Sequence, residues 1–414
     1  MTNYNSSDVE KFGLEKIFNS TLYILLMLFI ASTIIFTSDS NNIYGKLMDI
    51  MFIAFFFLYN ILYPQKTYYL NTIIVIYFIF LSYAMSSIFW TVDPFFTIFT
   101  AKRMFFVWVN MVIIYNVLKL YDMYKAIIYG LIIGILFNLF LSMEIMDLGY
   151  ELYGGMNGVA SVRYKGSTFQ PNMLGGICVF TIMGAMLIVH YAKSKLDYLI
   201  PILAIGSAYY LILLTISRAS LVIASLLLLL FMMRMSFNKS TRGYLFITFL
   251  ALFIVGSYYI DFQQFSDTLS NVFDRLIGLF SGVSGGQGDS STSERMKLLH
   301  MATQIFKENP FFGTGLDTMR VLLFDGLFAH NTYIELLASL GPIGFILYYS
   351  MHIVIIRNIL HIDDLWLKLY LLAFMGIVFL GDFAGVNYFS KYVLIYLLLF
   401  NYLAEENINK RERF

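Results

Sequence analysis

An all-α, polytopic transmembrane bundle of about twelve spans is the fold class this sequence predicts, and three observations predict it. The chain is 59% hydrophobic and 13% charged over 414 residues, too apolar to present a soluble surface. Its apolar residues gather into runs long enough to cross the hydrocarbon core as helices. One stretch, 261–341, interrupts that rhythm and holds a flexible-looking loop, an amphipathic pattern and a histidine at a helix start.

In chain order, residues 1–20 read as a tail, with no small-residue cleavage pattern before the first run. Residues 21–260 hold spans one to nine, expected at 21–37, 47–63, 69–90, 104–118, 126–146, 173–192, 196–217, 219–236 and 244–260. Spans ten to twelve follow within 342–403, at 342–358, 366–381 and 391–403, and 404–414 is a second tail. With both termini cytoplasmic, that side collects fifteen Lys and Arg in tails and short connections, from Lys11 and Lys16 to Arg411 and Arg413. The other side collects seven in short connections: Lys46, Lys102, Arg103, Arg163, Lys165, Arg218 and Lys391. The bias places 261–341 outside the cytoplasm. It leaves Arg163, Arg218, Arg295 and Arg320 on a side where topology gives them no purpose.

Several function classes fall away. A net charge of +1 with no basic stripe argues against nucleic acid. Cys178, the single cysteine, permits no intramolecular disulfide and no cysteine-based metal site. No Asp/Glu/His cluster has metal-ligand spacing, so neither a metal nor another cofactor is expected. His300 falls on a polar helix face and His352 within a span, so neither is a site candidate.

Within 261–341, "SGVSGGQGDSSTSER" reads as a Gly/Ser-rich loop. "SERMKLLHMATQIFKENP" then sets Leu298, Leu299, Ala302, Ile305 and Phe306 on one face and Lys297, His300, Gln304 and Glu308 on the other, an amphipathic helix. Arg295 falls on the apolar stripe. "NPFFGTG" breaks the helix, and Gly313 and Gly315 suit a tight turn. In "AHNTYIELLASLGPIG", Thr332 and Glu335 fit a capping box, Gly341 ends a short helix and Pro342 begins the next span. His330 and Asn331 therefore stand before a helix N-terminus, whose free amides favour an anion.

These pieces carry a resemblance. "AHNTYIELLASLGPIG" is similar to the His-Asn motif of O-antigen ligases and many O-antigen polymerases, bacterial polytopic glycan enzymes. "LSYAMSSIFWTVDPFF", "RYKGSTFQPNMLGG", "TISRASL" and "SERMKLLHMATQIFKENPFFGTGL" resemble other segments of that superfamily in the same order, across roughly residues 81 to 345. The resemblance implies glycosyl transfer at the outer face of the bacterial cytoplasmic membrane, from an undecaprenyl-pyrophosphate-linked oligosaccharide. It implies His330 as general base and Arg218 and Arg295 as the pyrophosphate-binding pair. Arg163 and then Arg320 are further candidates, and Asn331, Glu335, Gly313 and Gly315 are supporting residues. The chemistry suits the residue types: arginine binds phosphate in a bidentate manner without losing charge, and histidine can accept a proton near neutral pH.

Each assignment has a plain rival. His330 could simply bond a carbonyl, Arg218 could snorkel to the interface, Arg295 could pair with Glu294 or Asp289, and Arg163 could brace its loop. Asn331 could only fix the loop, and Glu335 could be no more than a cap. The expected acceptor separates two enzymes. Across 261–341 nine acids stand against five bases, a balance of −4, and a phosphate-rich lipid A core would be expected to meet a more basic approach. That favours a polymerase extending lipid-linked repeat units, with a chain-length regulator as a further candidate partner. Ligation to lipid A core is the alternative. A lipid-linked saccharide flippase or other transporter is a third reading, against which stand the absence of an obvious two-half repeat and charges gathered at one face.

Overall fold

A computed structural model describes residues 6–36, 43–64, 68–143, 149–153, 161–192, 196–237, 290–323 and 328–412. The helices are α1 (Ser6–Ile35), α2 (Ile43–Leu62), α3 (Thr72–Ser86), α4 (Pro94–Tyr121), α5 (Tyr124–Leu141), α6 (Pro171–His190), α7 (Leu196–Thr215), α8 (Arg218–Phe237), α9 (Ser290–Glu308), α10 (Met319–Leu322), α11 (Thr332–Leu360), α12 (Leu365–Ala384) and α13 (Lys391–Glu412). A 3₁₀ turn, Ser87–Phe89, follows α3, and β1 (Tyr150–Tyr153) and β2 (Ser161–Tyr164) form an antiparallel pair with Glu151 opposite Arg163. Ten helices among the described residues are long and apolar enough to cross a membrane, which makes this a multi-pass, all-α membrane protein.

Eight of the expected spans coincide in place with α1 to α8, and the tenth and eleventh with α11 and α12. The ninth, 244–260, lies outside the described residues. The twelfth is helical, as α13, but is not among the ten. Its apolar part is bounded by Lys391 on one side and by Glu405 and Glu406 on the other. The fourth starts ten residues earlier than expected. Asp93 explains this: its Oδ1 accepts from the Phe95 and Phe96 amides at 2.8 and 3.2 Å, and Pro94 fits a first turn that needs no N–H. Lys102 and Arg103 therefore lie within α4 and not in a connection. The last six residues of the stretch read as a loop, Ser290 to Arg295, are helical, since α9 begins at Ser290; the rest of that stretch lies outside the described residues.

The chain divides into two compact units. The first contains α1, α2, α5, the β pair, α6, α7 and α8. Small residues set its closest packing. A Cβ on Gly130 would lie 2.5 Å from the Met27 carbonyl oxygen, and one on Gly134 would lie 2.7 Å from Ile34, so the Gly-x-x-x-Gly of α5 lets α1 approach. The second contains α3, α4 through Lys119, and α9 to α13, with α11 packed on α3, α9, α12 and α13. At the far end of α13, Glu405 accepts from Asn71, Tyr115 and Asn401, and Glu406 pairs with Lys119 at 2.7 Å.

α9 is amphipathic as expected. Leu298 and Ala302 join Met319, Leu323, Ala329 and Ala338 in one buried cluster, with Ile305 and Phe306 at its margin, while Lys297, His300, Gln304 and Glu308 are exposed. α11 is two helices joined at Gly341, whose φ of 67° and ψ of −173° no other residue type adopts readily. Pro342 has no N–H, so the carbonyl of Ala338 loses its helical donor.

Candidate functional site

The freed carbonyls of α11 are where the second unit builds its site. Thr314 N–H donates to Ala338 O at 3.0 Å, Gly315 N–H to Ser339 O at 2.8 Å, and the Tyr83 hydroxyl to Leu340 O at 2.9 Å. Such proximity demands glycine on either side of Thr314. Gly313 and Gly315 have φ of 69° and 108°, and a Cβ on Gly313 would lie 2.4 Å from the Ser339 carbonyl carbon. The segment 87–100 closes over the same turn. Trp90 Nε1 donates to Phe312 O at 3.2 Å, Val92 N–H to Thr314 O at 3.0 Å, and the Leu316 amide to Ser87 Oγ at 3.0 Å. Two segments more than two hundred residues apart, each carrying part of the resemblance, thus form one structure.

The turn leads to a buried charge. Asp317 accepts from Thr100 Oγ1 on one oxygen and from Arg320 Nε on the other at 3.1 Å, and burial raises its carboxyl above the usual range despite that arginine. Arg320 lies 4.2 Å over the Phe328 ring, Phe328 and Phe389 are 6.0 Å apart, and Arg103 lies 5.3 Å from the Phe389 ring centre. Two arginines thus rest on a pair of phenylalanines, one of which, Phe328, precedes His330 by two residues in the chain. Arg320, the last-ranked pyrophosphate candidate, is engaged by Asp317. Arg103 was not among the candidates, and its signal was a cation inside an apolar run.

His330 is half-buried and has φ of 51°, in the left-handed region that L side chains seldom adopt. The helix begins directly after it, as expected, but with a different cap. Asn331, extended at φ −154°, is the N-cap, and its Oδ1 accepts from Ile334 N–H at 3.2 Å. That shifts the count by one, so Glu335 is one position too far for a capping box. Its Oε2 accepts instead from Ala329 N–H at 2.9 Å. Thr332, freed from capping, turns its hydroxyl to Gly385 O at 2.8 Å and Asp382 Oδ1 at 3.1 Å. Arg295 is half-buried in the second turn of α9, three and seven residues before Leu298 and Ala302.

Arg163 and Arg218 belong to the first unit. Arg163 donates through Nε to Thr215 O at 2.9 Å and through Nη2 to Asn172 Oδ1 at 3.0 Å, which ties "RYKGSTFQPN" to "TISRASL". That is a bracing role, whatever else it does. Arg218 opens α8 after Ile216, which has φ of 50°. Among the described residues, no group of three or more His, Cys, Asp or Glu is placed to hold a metal ion.

No curated protein matches the chain. A family model described as O-antigen ligase matches residues 202–349, a segment that includes Arg218, Arg295, Arg320, His330 and Glu335. Over that segment the chain is similar to the O-antigen ligase family, in keeping with the superfamily that its motifs resemble.

Proposed function

We propose that the chain polymerises undecaprenyl-pyrophosphate-linked oligosaccharide repeat units at the outer face of the bacterial cytoplasmic membrane. The supporting observation is His330, held at a strained φ of 51° directly before the N-cap of α11. In this reading the acceptor hydroxyl gives its proton to His330 as its oxygen attacks the anomeric carbon. The bond from that carbon to pyrophosphate breaks, and the electron pair leaves with the lipid pyrophosphate. Arg218 and Arg295 meet the developing charge, with Arg163 and Arg320 as lesser candidates. No metal or other cofactor enters. The N-terminal tail 1–20 and C-terminal tail 404–414 are cytoplasmic, and 261–341 is extracytoplasmic. A cysteine placed at Gln287 should then react with an impermeant maleimide added outside intact cells, and protection there would overturn the orientation.

Ligation to lipid A core is the second reading, favoured by the similarity of residues 202–349 to the O-antigen ligase family. The acidic balance of 261–341 supports polymerisation. Purified protein given one lipid-linked donor with either a second lipid-linked repeat unit or lipid A core should lengthen the former. Sugar appearing only on the core would make it a ligase. Formation of neither product, with lipid-linked saccharide moved across vesicles, would make it a transporter.

A further inference from the structure

The left-handed conformation of a non-glycine residue costs on the order of 1–3 kcal/mol and persists only where its surroundings over-determine it. Two buried acids do so on either side of His330. Before it, Glu335, 0% exposed, accepts the Ala329 amide, and its other oxygen has no hydrogen-bond partner among the described residues. After it, Asp382, also 0% exposed, faces three donors: Thr332 Oγ1 at 3.1 Å, Tyr349 OH at 2.9 Å and Asn387 Nδ2 at 2.9 Å. The Asn387 backbone N–H in turn donates to Thr332 Oγ1 at 3.0 Å. Neither acid has an ion-pair partner among the described residues. A buried acid without a cation is costly, so this arrangement calls for a purpose beyond stability.

We propose that Glu335 and Asp382 are positioning residues for His330, fixing the chain at residues 329 and 332 so that the ring between them keeps one orientation toward the acceptor. This rests on the reading of His330 as base. The two acids differ in what they must supply. Glu335 takes one donor, which a glutamine oxygen would also accept. Asp382 takes three, and an asparagine would turn an NH₂ toward at least one of them.

The test is a variant series of the full chain in detergent, read as kcat and KM for glycan transfer from the lipid-pyrophosphate donor. Glu335→Ala and Asp382→Ala should lower kcat by about 10- to 100-fold, the scale of an ångström-sized misplacement, with donor KM within about twofold. Glu335→Gln should restore kcat to within about threefold of wild type, whereas Asp382→Asn should not. Each loss should vanish when His330 is already alanine, because a residue acting through another shows no separate effect once that other is gone. Should an alanine variant fail to fold, Thr332→Val, which removes only the shared hydroxyl, should show the same kcat loss and the same dependence on His330. Losses that persist undiminished in the His330→Ala background, or a Glu335→Gln as impaired as Glu335→Ala, would overturn the positioning role while leaving the base assignment standing. Wild-type turnover by His330→Ala alone would instead overturn the base assignment.

Discussion

Gly313→Ala should destabilise the second unit by roughly 3–5 kcal/mol. The left-handed φ of 69° costs an alanine about 1–2 kcal/mol by itself. The added Cβ would sit 2.4 Å from Ser339 C, 2.5 Å from its oxygen and 2.7 Å from Ala338 O, all backbone atoms with no rotamer to change. The turn must therefore retreat from α11, and the hydrogen bonds from Thr314 and Gly315 to Ala338 and Ser339 lengthen or break. Each is worth about 1 kcal/mol net, more if a carbonyl is left dry. Gly176→Ala is the matched control: its Cβ would meet nothing within 4 Å, and helix propensity changes by at most about 1 kcal/mol in its favour. Thermal scanning in detergent should show a clear drop in unfolding temperature for Gly313→Ala and none for Gly176→Ala. Equal unfolding temperatures for the two variants would refute the close approach of the turn to the α11 carbonyls.

Three further outcomes follow from the residues described. Arg218→Lys and Arg295→Lys retain charge but lose the planar fork, so both turnover and retention of the pyrophosphate donor should weaken, and normal kinetics in either would remove that arginine from the site. Because burial raises the Asp317 carboxyl in the folded state, folding favours its protonated form, and the stability this contributes is complete below the ordinary value of about 4 and lost as pH rises through the raised one. The stability of wild type relative to Asp317→Asn should accordingly decline over that interval, and a difference that instead grows as pH rises would show that Arg320 outweighs burial. Activity should survive exhaustive EDTA, and restoration of an EDTA-inactivated enzyme by a divalent ion would count against charge neutralisation by arginine.

Features set by local pattern were legible in the sequence. Runs of apolar residues marked the spans, the 3.6-residue stripe through Leu298 and Ala302 marked α9, and glycine with proline marked the turn at 313–315 and the break at 341–342. Features set by distant partners were not. Thr332 rather than Asn331 reads as the cap because the better capping-box spacing starts there, yet Asp382 and Gly385, fifty and fifty-three residues on, claim the Thr332 hydroxyl. Asp382 stands just past the span expected at 366–381, and its three donors show why an acid is there. Arg103 reads as part of a connection because the fourth apolar run is expected to begin at 104, whereas the Asp93 cap starts α4 at Pro94.

His330→Ala is the most direct test of glycan transfer by a histidine base. In well-expressed, correctly inserted protein, supplied with lipid-linked donor and acceptor, turnover should fall by about 10² to 10⁴ while donor binding stays near normal. Glycan built at the wild-type rate would make the histidine structural and contradict the mechanism.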